Sequence, residues 1–533
     1  MSMKHLRVVF KPDDREVSIH QGATLLEAAR RAGIILTTPC GGKGTCGKCA
    51  LLLHPSGQPI LACQCRVESD LAVVVPPQSR FYEHRILDHG IAAGEQIRPT
   101  IYRKYRQVAG TGAILGVAVD IGTTTVVAKL VDMVTGQCLA TQAMLNPQTR
   151  FGDDVVSRIS YGQSEEHLAE LHSVIIDCIN ELTGGLCRQA GIDVSSIYEA
   201  SIVGNTTMNH IFLRFPVEQL GRAPYRAWSV DAQDVLPARL GLTMNPAGNV
   251  HCAENIAGFV GADTTAVALA VDMDCIEDRV LVVDIGTNGE IVLGTRDRLY
   301  AASCAAGPAL EGARIKYGSR AADGAIEGVV VNEDITLDII GQSPPRSICG
   351  SGLIDAVAVL ADLGIVDATG RFVDQRGSGA SLPKPIASRV LEHDGQPAFC
   401  LAWNERTSQP GIILTQKDIR EVQLAKAAIR AGIRILMNRL GMTDSDIDRV
   451  LLAGAFGNYI RPSSAVRIGL LPNVPLDRIQ SVGNAAATGA EILLISDEGR
   501  ERAAKLARRI QYVEIAHEAN FADIFADAMF LSP

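Results

Sequence analysis

The chain has 533 residues, of which 47% are hydrophobic, so it is long enough for about three or four domains with full cores. Its formal net charge of −9 gives no basic surface for a nucleic-acid partner, and no run of about eighteen apolar residues predicts a membrane span. The first residues become charged before any apolar run develops, so we expect no signal peptide and a cytoplasmic location.

Residues 1–77 predict a small α+β domain. HLRVVF and EVSI predict a strand pair, and a helix follows Thr24, a candidate N-cap with Glu27 three residues later. ALLLHPSGQPILACQC predicts a hairpin that turns at Pro55, and DLAVVVPP predicts a last strand. A glycine-rich loop with three cysteines lies between the helix and the hairpin.

This loop, TTPCGGKGTCGKCA, places Cys40, Cys46 and Cys49 close together, and Cys63 follows in LACQ. A single tight loop that supplies three thiolates is typical of [2Fe–2S] ferredoxins, whereas zinc sites, the alternative, usually pair two C-x2–4-C knuckles. Glycines let the backbone wrap closely around the cluster sulfurs and donate amide hydrogen bonds to them. Cys63 and Cys65 have the same strand parity, so alternation does not choose the fourth ligand.

Residues 78–112 contain basic residues and tyrosines with little sustained periodicity. We expect a solvated linker, and a docking surface for a redox partner is the alternative. From Ile114 onward, apolar strands alternate with amphipathic helices, as in an α/β domain. The helix at DIREVQLAKAAIRAGIRILMNRLG begins at a candidate N-cap, Thr415, and RFVDQRGSGASLPKP (371–385) predicts an exposed loop.

Two near-copies of one strand–turn–strand phrase, VAVDIGTTT and LVVDIGTNGE, predict two similar halves of a duplicated domain, residues 113–275 and 276–533. Glycine allows a close approach to phosphate, while the following amides and hydroxyls can donate to its oxygens. An aspartate at the strand end can orient hydrated Mg²⁺ or the attacking water. The catalytic candidates are therefore Asp120 and Asp284. The phosphate-binding candidates are Gly122, Thr123, Thr124, Thr125, Gly286, Thr287, Asn288, Gly289 and Glu290.

A third element, VLLAGAFGNY, leads an apolar strand into a small-residue segment that suits a loop beside adenine and ribose. Its candidates are Gly454, Ala455, Phe456 and Gly457. The set resembles the ASKHA (sugar kinase/Hsp70/actin, RNase H-like) superfamily, which has phosphate-1, phosphate-2 and adenosine motifs in this order. The resemblance implies ATP and Mg²⁺ as ligands.

Four weaker stretches place small residues where a strand or loop can meet a helix: SIVGNTTMNHIF, ENIAGFVGADTTA, ICGSGLIDAVAVL and SVGNAAATGAEIL. Connecting segments that line the cleft of a duplicated domain would explain them. Tight packing of helices against sheets explains them equally well.

PCGGKGTCGKC, LACQ, DIGTTT, DIGTNGE and LAGAFGN together resemble the reductive activators of corrinoid proteins over nearly the whole chain. The resemblance implies a ferredoxin-like (β-grasp) domain, a linker and an ASKHA ATPase domain. Described members carry a further small domain after the linker. Residues Pro77 to Ile114 leave no room for it, so we expect a compact version.

The resemblance also implies the chemistry: one electron passes from the [2Fe–2S] cluster to the Co(II) corrinoid of a methyltransferase system and restores Co(I), with ATP hydrolysis. It implies Cys63 as fourth ligand, a corrinoid protein partner and a low-potential electron donor, and a homodimer is one option. Asp284 and then Glu290 are candidates for the general base.

The alternatives are a small-molecule kinase with an iron–sulfur regulatory domain and an activator of another low-potential metalloenzyme, such as a radical dehydratase. A flavin- or NAD-dependent reductase lacks a credible fingerprint in this sequence, and a non-catalytic actin-like module is the remaining alternative.

Overall fold

The computed structural model describes residues 5–12, 15–32, 34, 36, 49–76, 100–110, 112–286, 288–341, 343–373, 382–404, 409–457 and 459–532. Within these parts of the chain, no helix combines the length and the apolar composition needed to cross a bilayer.

The N-terminal domain is a five-stranded sheet with one described helix packed against it. Its sheet has the order β2-β1-β5-β3-β4, with β1 antiparallel to β2 and parallel to β5. Alternate β1 residues Leu6, Val8 and Phe10 are buried together with Leu25 and Ala29 of the helix. The elements are β1 His5–Lys11, β2 Arg15–His20, α1 Leu25–Arg31, β3 Ala50–His54, β4 Pro59–Leu61 and β5 Leu71–Val74.

The predicted N-cap of α1 is confirmed. The backbone N–H of Thr24 donates to the Glu27 carboxylate at 2.8 Å, and the Glu27 N–H donates to Thr24 Oγ1 at 3.2 Å. These reciprocal bonds form a capping box, which satisfies two N–H groups at the start of the helix. The predicted strand pair, hairpin and last strand are also confirmed.

Helix α2, Thr100–Ala109, corrects the expectation that residues 78–112 form only a solvated linker. Its apolar residues Ile101 and Tyr105 lie one helical turn apart and are buried against the ATPase domain. Lysine and arginine residues surround this short stripe, so the sequence pattern does not reveal it. Residues 77–99 lie outside the described part of the chain.

The first half of the ATPase domain is a six-stranded sheet of order β10-β11-β9-β6-β7-β8. Its long helix α4 packs on β7 and β8. The strands are β6 Leu115–Ile121, β7 Thr125–Asp132, β8 Cys138–Leu145, β9 Ile197–Gly204, β10 Gln233–Val235 and β11 Asn249–Cys252. The helices are α3 Val155–Tyr161, α4 Glu165–Ala190, α5 Thr206–Leu213, α6 Pro237–Leu240 and α7 Ala262–Ala270.

The second half contains a six-stranded sheet of order β22-β21-β12-β13-β14-β23 and two three-stranded sheets, β16-β15-β17 and β18-β19-β20. The strands are β12 Val280–Ile285, β13 Gly289–Thr295, β14 Arg298–Cys304, β15 Ala325–Val331, β16 Ile335–Ile339, β17 Ser347–Ile348, β18 Val390–His393, β19 Gln396–Trp403, β20 Pro410–Thr415, β21 Arg449–Ala453, β22 Ile479–Gly483 and β23 Gln511–Tyr512. The helices are α8 Gly350–Asp362, α9 Lys384–Ala387, α10 Gln416–Leu440, α11 Gly454–Gly457, α12 Pro462–Arg467, α13 Ala485–Ile495, α14 Asp497–Arg509 and α15 Phe521–Ala528.

Short 3-10 segments connect these elements at Pro147–Arg150, Val194–Ser196, Glu218–Gly221, Pro308–Glu311, Asp444–Asp446, Leu476–Arg478 and Ile515–His517. The predicted cap of α10 is confirmed as a capping box between Thr415 and Asp418. Part of the predicted exposed loop, 374–381, lies outside the described residues, whereas Lys384–Ala387 forms the short helix α9.

Both large sheets share one topology, which confirms the duplication. In each half an antiparallel three-strand meander, β6-β7-β8 or β12-β13-β14, is extended by parallel strands next to its first strand. Helices α7 and α13 pack against each other so closely that a Cβ on Gly489 would lie 2.2 Å from the Ala266 carbonyl oxygen. One buried cluster contains residues of both halves and joins them, and each half also has a buried cluster of its own.

Candidate functional site

Two of the four predicted cluster cysteines are described, and their sulfurs converge. Cys49 directly precedes β3 and Cys63 follows β4, so pairing of these two strands brings the thiols together. The two Sγ atoms are 3.3 Å apart, and both residues are buried. A pair of buried thiols at this distance suits two ligands of one metal–sulfur centre, since cluster ligation uses cysteine thiolates.

Cys65 differs from Cys63 in its surroundings. Its Sγ lies 3.9 Å from the Arg66 carbonyl oxygen, and Cys65 is half-buried, whereas Cys63 is buried beside Cys49. The geometry therefore favours Cys63 as the partner of Cys49. Cys40 and Cys46 lie outside the described residues.

The two repeated turns face a common cavity of about 460 Å³. We call residues 120–125 the phosphate-1 turn and residues 284–290 the phosphate-2 turn. The lining residues include Asp120, Gly122, Thr123, Thr124, Thr125, Asp284, Gly286, Asn288, Glu290 and Gly454 among those predicted from the sequence. Thr287 lies outside the described residues, and for Ala455 and Phe456 only the helical backbone is described.

The phosphate-1 turn is tightly closed. A Cβ on Gly122 would lie 2.5 Å from the Thr125 carbonyl oxygen, so only glycine fits this close approach. Asn205 Nδ2 donates to Thr123 Oγ1 at 3.0 Å, and Thr124 Oγ1 donates to Glu311 at 3.1 Å. The turn thus presents hydroxyl groups and backbone to the cavity in a fixed geometry.

The adenosine element lies against the phosphate-2 turn. Gly454 has φ +83°, and a Cβ there would lie 2.4 Å from Asp284 Oδ1. Residues 454–457 form one helical turn directly after β21 instead of the expected loop. Gly457 packs against Leu452, and a Cβ on Gly289 would clash with Ile429 of α10, so these two glycines support packing.

Four of the carboxyl groups that line the cavity, those of Asp120, Asp263, Asp284 and Glu290, have raised pKa values. Burial, and then the charges of Asp263 and Asp284, raise the pKa of Asp120 to about 8. Burial and Asp263 raise the pKa of Asp284 to about 7, and burial raises the pKa of Asp263 to about 6. The pKa of Glu290 is raised well above its usual value, mainly by burial. A bound cation would stabilise the charged form of these carboxyl groups and lower their pKa values.

Mg²⁺ fits this donor set. It is usually bound through one or two carboxylates together with substrate phosphates and water molecules. No group of three or more His, Cys, Asp or Glu side chains within the described ranges is preformed to hold a metal ion. A Mg²⁺ site that is completed by phosphate oxygens agrees both with the carboxyl groups in the cavity and with the lack of a preformed ligand group in the described ranges.

Several residues of the site were not predicted from the sequence. Arg158 is fully buried behind the phosphate-1 turn and donates from Nη2 to the Thr123 carbonyl oxygen at 2.6 Å. Asn146 Nδ2 donates to the Gly122 carbonyl oxygen at 2.8 Å. Both side chains come from the segment after β8, and no local pattern connects them with the turn.

The four small-residue stretches contribute to the cavity through Asn205, Asp263, Ser351 and Asn484. The stretches therefore line the cleft, and they also pack tightly, so both explanations given for them from the sequence apply. A Cβ on Gly261, for example, would lie 2.4 Å from the Asn205 Cα atom. A polar residue placed where a strand passes into a helix was the signal that could have singled out Asp263.

A ferredoxin-like domain joined to a duplicated domain with a carboxylate-lined cleft defines the class of iron–sulfur ATPases. Three family models match the chain: "2Fe-2S iron-sulfur cluster binding domain" at residues 9–68, "RACo middle region" at 115–276, and "C-terminal domain of RACo the ASKHA domain" at 278–533. The middle region coincides with the first half of the duplicated domain. The expected absence of a further small domain stays a prediction from the short interval between Pro77 and Ile114.

The chain is 34% identical over 590 residues to "Corrinoid activation enzyme RamQ" of Eubacterium limosum, with 98% of each chain covered. It is 25% identical over 434 residues to "[Co(II) methylated amine-specific corrinoid protein] reductase" of Methanosarcina barkeri, which covers 74% of this chain and 72% of that protein. The solved structure "Reductive activator for corrinoid,iron-sulfur protein" superposes with a TM-score of 0.70 at 31% identity, covering 98% of each chain. The protein belongs to the family of corrinoid-activating enzymes, and its cofactors are a [2Fe–2S] cluster and ATP with Mg²⁺.

Proposed function

We propose that the protein is a reductive activator that transfers one electron to the Co(II) corrinoid of a methyltransferase system and restores Co(I), in a reaction driven by ATP. The observation that carries the proposal is the presence in one chain of converging cluster cysteines and a nucleotide cavity lined by two repeated turns. The names of the relatives above support a corrinoid protein as the partner.

The proposed roles combine the sequence motifs with the geometry of the described residues. Cys40, Cys46, Cys49 and Cys63 hold the cluster, while Asp120 and Asp284 orient Mg²⁺ and water. The phosphate-1 and phosphate-2 turns bind the triphosphate, with Glu290 beside the second turn, and residues 454–457 border the adenosine. When bound, the cluster supplies the electron and Mg²⁺ neutralises phosphate charge. The chain supplies the fixed hydrogen-bond donors, the raised carboxyl pKa values and the walls of the cavity.

ATP is needed for an energetic reason. Plant-type [2Fe–2S] ferredoxins have potentials of about −400 mV, and the Co(II)/Co(I) couple lies lower. Because about 59 mV corresponds to a factor of ten for one electron, a gap of a few hundred millivolts leaves almost no Co(I) at equilibrium. Nucleotide binding or hydrolysis that alters the contact with the partner can supply the missing driving force.

We also propose a cytoplasmic location for the protein, a low-potential electron donor as a second partner, and the domain division 1–77, 78–112, 113–275 and 276–533. A homodimer is the oligomeric state that we would test first. The division is supported by three buried clusters that each contain residues of one unit only: the N-terminal domain, the first half and the second half.

The test mixes the reduced, cluster-loaded protein with a Co(II) corrinoid protein and follows the Co(I) absorption band. We expect the band to appear with ATP and Mg²⁺ and to stay absent without nucleotide, and a non-hydrolysable analogue shows whether binding alone is enough. Equal Co(I) formation without nucleotide would refute ATP coupling. ATP turnover that depends on a small-molecule acceptor instead of the corrinoid protein would indicate a kinase.

A further inference from the structure

The N-terminal domain contacts the ATPase domain through a cluster of charged side chains beside the nucleotide cavity. We call this cluster the junction; it consists of His20 and Arg31 from the N-terminal domain and Glu327, Asp338, Asp355 and Arg461 from the ATPase domain. The residues lie on α1, at the end of β2, on β15, β16 and α8, and directly before α12.

Asp338 is the centre of the junction. Its side chain is only 1% exposed, and it pairs with His20 Nδ1 at 2.5 Å and with Arg31 Nη2 at 2.5 Å. Arg461 Nη2 reaches the same carboxylate at 2.9 Å from within the ATPase domain. Burial would raise the pKa of Asp338, but the hydrogen bond from His20 and the charge of Arg31 hold it below its usual range. Removal of one member of such a buried network leaves unpaired charge, so the contact is specific.

Glu327 belongs both to the junction and to the wall of the cavity. Arg31 Nε lies 3.6 Å from Glu327 Oε1, and the same residue lines the nucleotide cavity. Burial raises the pKa of Glu327, and the Arg31 charge opposes this increase. A ligand that hydrogen-bonds to this carboxylate from the cavity therefore competes with Arg31.

Two further segments link the cavity to the junction. Tyr459 lines the cavity directly after the adenosine element, and Arg461 follows two residues later. At the start of α8, Cys349 to Ser351 line the cavity, and Asp355 of the same helix pairs with Arg461 at 3.0 Å. Short stretches of sequence thus connect residues of the cavity wall with residues of the junction.

We propose that the junction is a nucleotide-controlled latch. The empty cavity leaves Glu327 free to pair with Arg31, so the [2Fe–2S] domain is held on the ATPase domain. A bound nucleotide takes up Glu327, shifts Arg461 and loosens the domain. The inference rests on the nucleotide assignment of the proposed function but not on the corrinoid substrate.

Linkage makes the proposal measurable. If a nucleotide weakens the latch, a weaker latch must strengthen nucleotide binding by the same factor. Arg31→Met removes the charge and retains much of the side-chain volume. We expect the full-length, cluster-loaded variant to bind a non-hydrolysable ATP analogue about five-fold more tightly than the wild type by calorimetry.

The matched control is Arg7→Met, which breaks the exposed pair of Arg7 with Glu16 inside the same domain. We expect it to bind the analogue as the wild type does. The cluster absorption spectrum reports whether each variant is folded. If Arg31→Met loses the cluster, His20→Gln removes the other contact of the N-terminal domain with Asp338. We expect this variant also to bind the ATP analogue more tightly than the wild type.

Hydrogen exchange supplies an independent measurement. The ATP analogue should increase amide exchange in α1 of the wild type. It should leave the exchange of α1 in Arg31→Met unchanged, because the N-terminal domain of this variant is already loosened. Unaltered or weaker nucleotide binding by both latch variants would overturn the proposal. Because neither measurement uses a corrinoid protein, failure of the latch is distinguishable from failure of the reductive function.

Discussion

The fully buried Arg158 supports the phosphate-1 turn from behind. Besides its bond to Thr123, it donates from Nε to the Gly152 carbonyl oxygen at 3.0 Å and from Nη1 to Gln148 Oε1 at 3.2 Å. Burial lowers the pKa of Arg158 to about 10, so the side chain is still a cation at neutral pH. It therefore both positions the turn and adds positive potential behind the proposed triphosphate site.

Replacement of this arginine tests its positioning role. Arg158→Met leaves buried carbonyl oxygens without a donor, at a cost of about 1–3 kcal/mol each. We expect nucleotide affinity to fall about ten-fold, equivalent to about 1.4 kcal/mol, as measured by calorimetry with an ATP analogue. Arg150→Met is the control, because Arg150 is exposed and stacks on Phe151. An equal loss of affinity in the control would contradict this role.

The shared carboxyl groups predict how stability depends on pH. Asp120, Asp263 and Asp284 have raised pKa values in the folded state, so between about pH 4 and 8 these three groups bind more protons in the native protein than in the unfolded chain. Their contribution to the stability of the nucleotide-free protein therefore decreases as the pH rises through this window.

Asp263→Asn should reduce this decrease, because the Asp263 charge contributes to the raised pKa values of Asp120 and Asp284. We expect the variant to gain about 1 kcal/mol relative to wild type between pH 6 and pH 8, measured from thermal unfolding without nucleotide. The exposed Asp231→Asn should follow the wild-type curve. Parallel curves for wild type and Asp263→Asn would show that the charges do not interact.

The fourth cluster ligand can be tested by a matched pair of variants. Cys63→Ser should bind substantially less iron and lose the visible spectrum, because its sulfur lies 3.3 Å from that of Cys49. Cys65→Ser should retain both, since its sulfur lies near the Arg66 carbonyl oxygen. Iron analysis after anaerobic reconstitution decides between the two cysteines. Iron loss in Cys65→Ser but not in Cys63→Ser would make Cys65 the fourth ligand.

Among the elements, helix α2 fastens the linker to the ATPase domain. Tyr105 Oη donates to the buried Glu199 carboxylate at 2.5 Å, and Arg500 Nη2 donates to the same carboxylate at 2.7 Å. Burial and the Glu199 charge raise the pKa of Tyr105, so the phenol remains a donor. The Tyr105 ring also packs on Tyr198, with 5.2 Å between centroids.

Tyr105→Phe preserves the ring packing and removes the hydrogen bond to the charged group, which is worth about 1.5–3 kcal/mol. We expect amide exchange to become faster across residues 100–109, with β6 and β9 unchanged. Tyr102→Phe, a half-buried tyrosine on the same helix, should leave exchange unchanged. If apolar contacts alone hold α2 on the ATPase domain, amide exchange across residues 100–109 would have the wild-type rate in both variants.

At the scale of the whole molecule, the distribution of cores predicts two unfolding units. The apolar core of the N-terminal domain contains only residues of that domain, whereas one ATPase-domain core contains residues of both halves. The two halves should therefore unfold together, and the N-terminal domain should unfold independently.

Thermal unfolding tests this division. An ATP analogue with Mg²⁺ at 100 times its Kd should raise only the ATPase transition, by about 3 °C for a unit of this size. Iron removal should lower only the N-terminal transition, because cluster binding stabilises the folded domain. A single transition that responds to both treatments would mean that the junction joins the domains into one cooperative unit.

Local signals in the sequence predict much of the fold. The repeated Asp-Ile-Gly-Thr phrase marks equivalent strands of the two halves, and residue pairs three apart such as Thr24 and Glu27 mark helix starts. Backbone geometry at these places depends on neighbours in the chain, so a short segment contains the information. The expectations of a solvated segment at residues 100–109 and of a loop at residues 454–457 were wrong, because tertiary contacts hold a short helix at each place.

The sequence by itself determined the kinds of site: cysteines at ferredoxin-like spacing, two phosphate turns and their duplication. Only the tertiary structure decided which side chains meet. Arg158 donates a hydrogen bond to the Thr123 carbonyl oxygen, and the charge of Asp263 raises the pKa of Asp120. Arg31 pairs with Asp338, although these two residues lie far apart in the sequence. Charge interactions depend on distance and burial in three dimensions, and neither quantity is encoded in the spacing of residues along the chain.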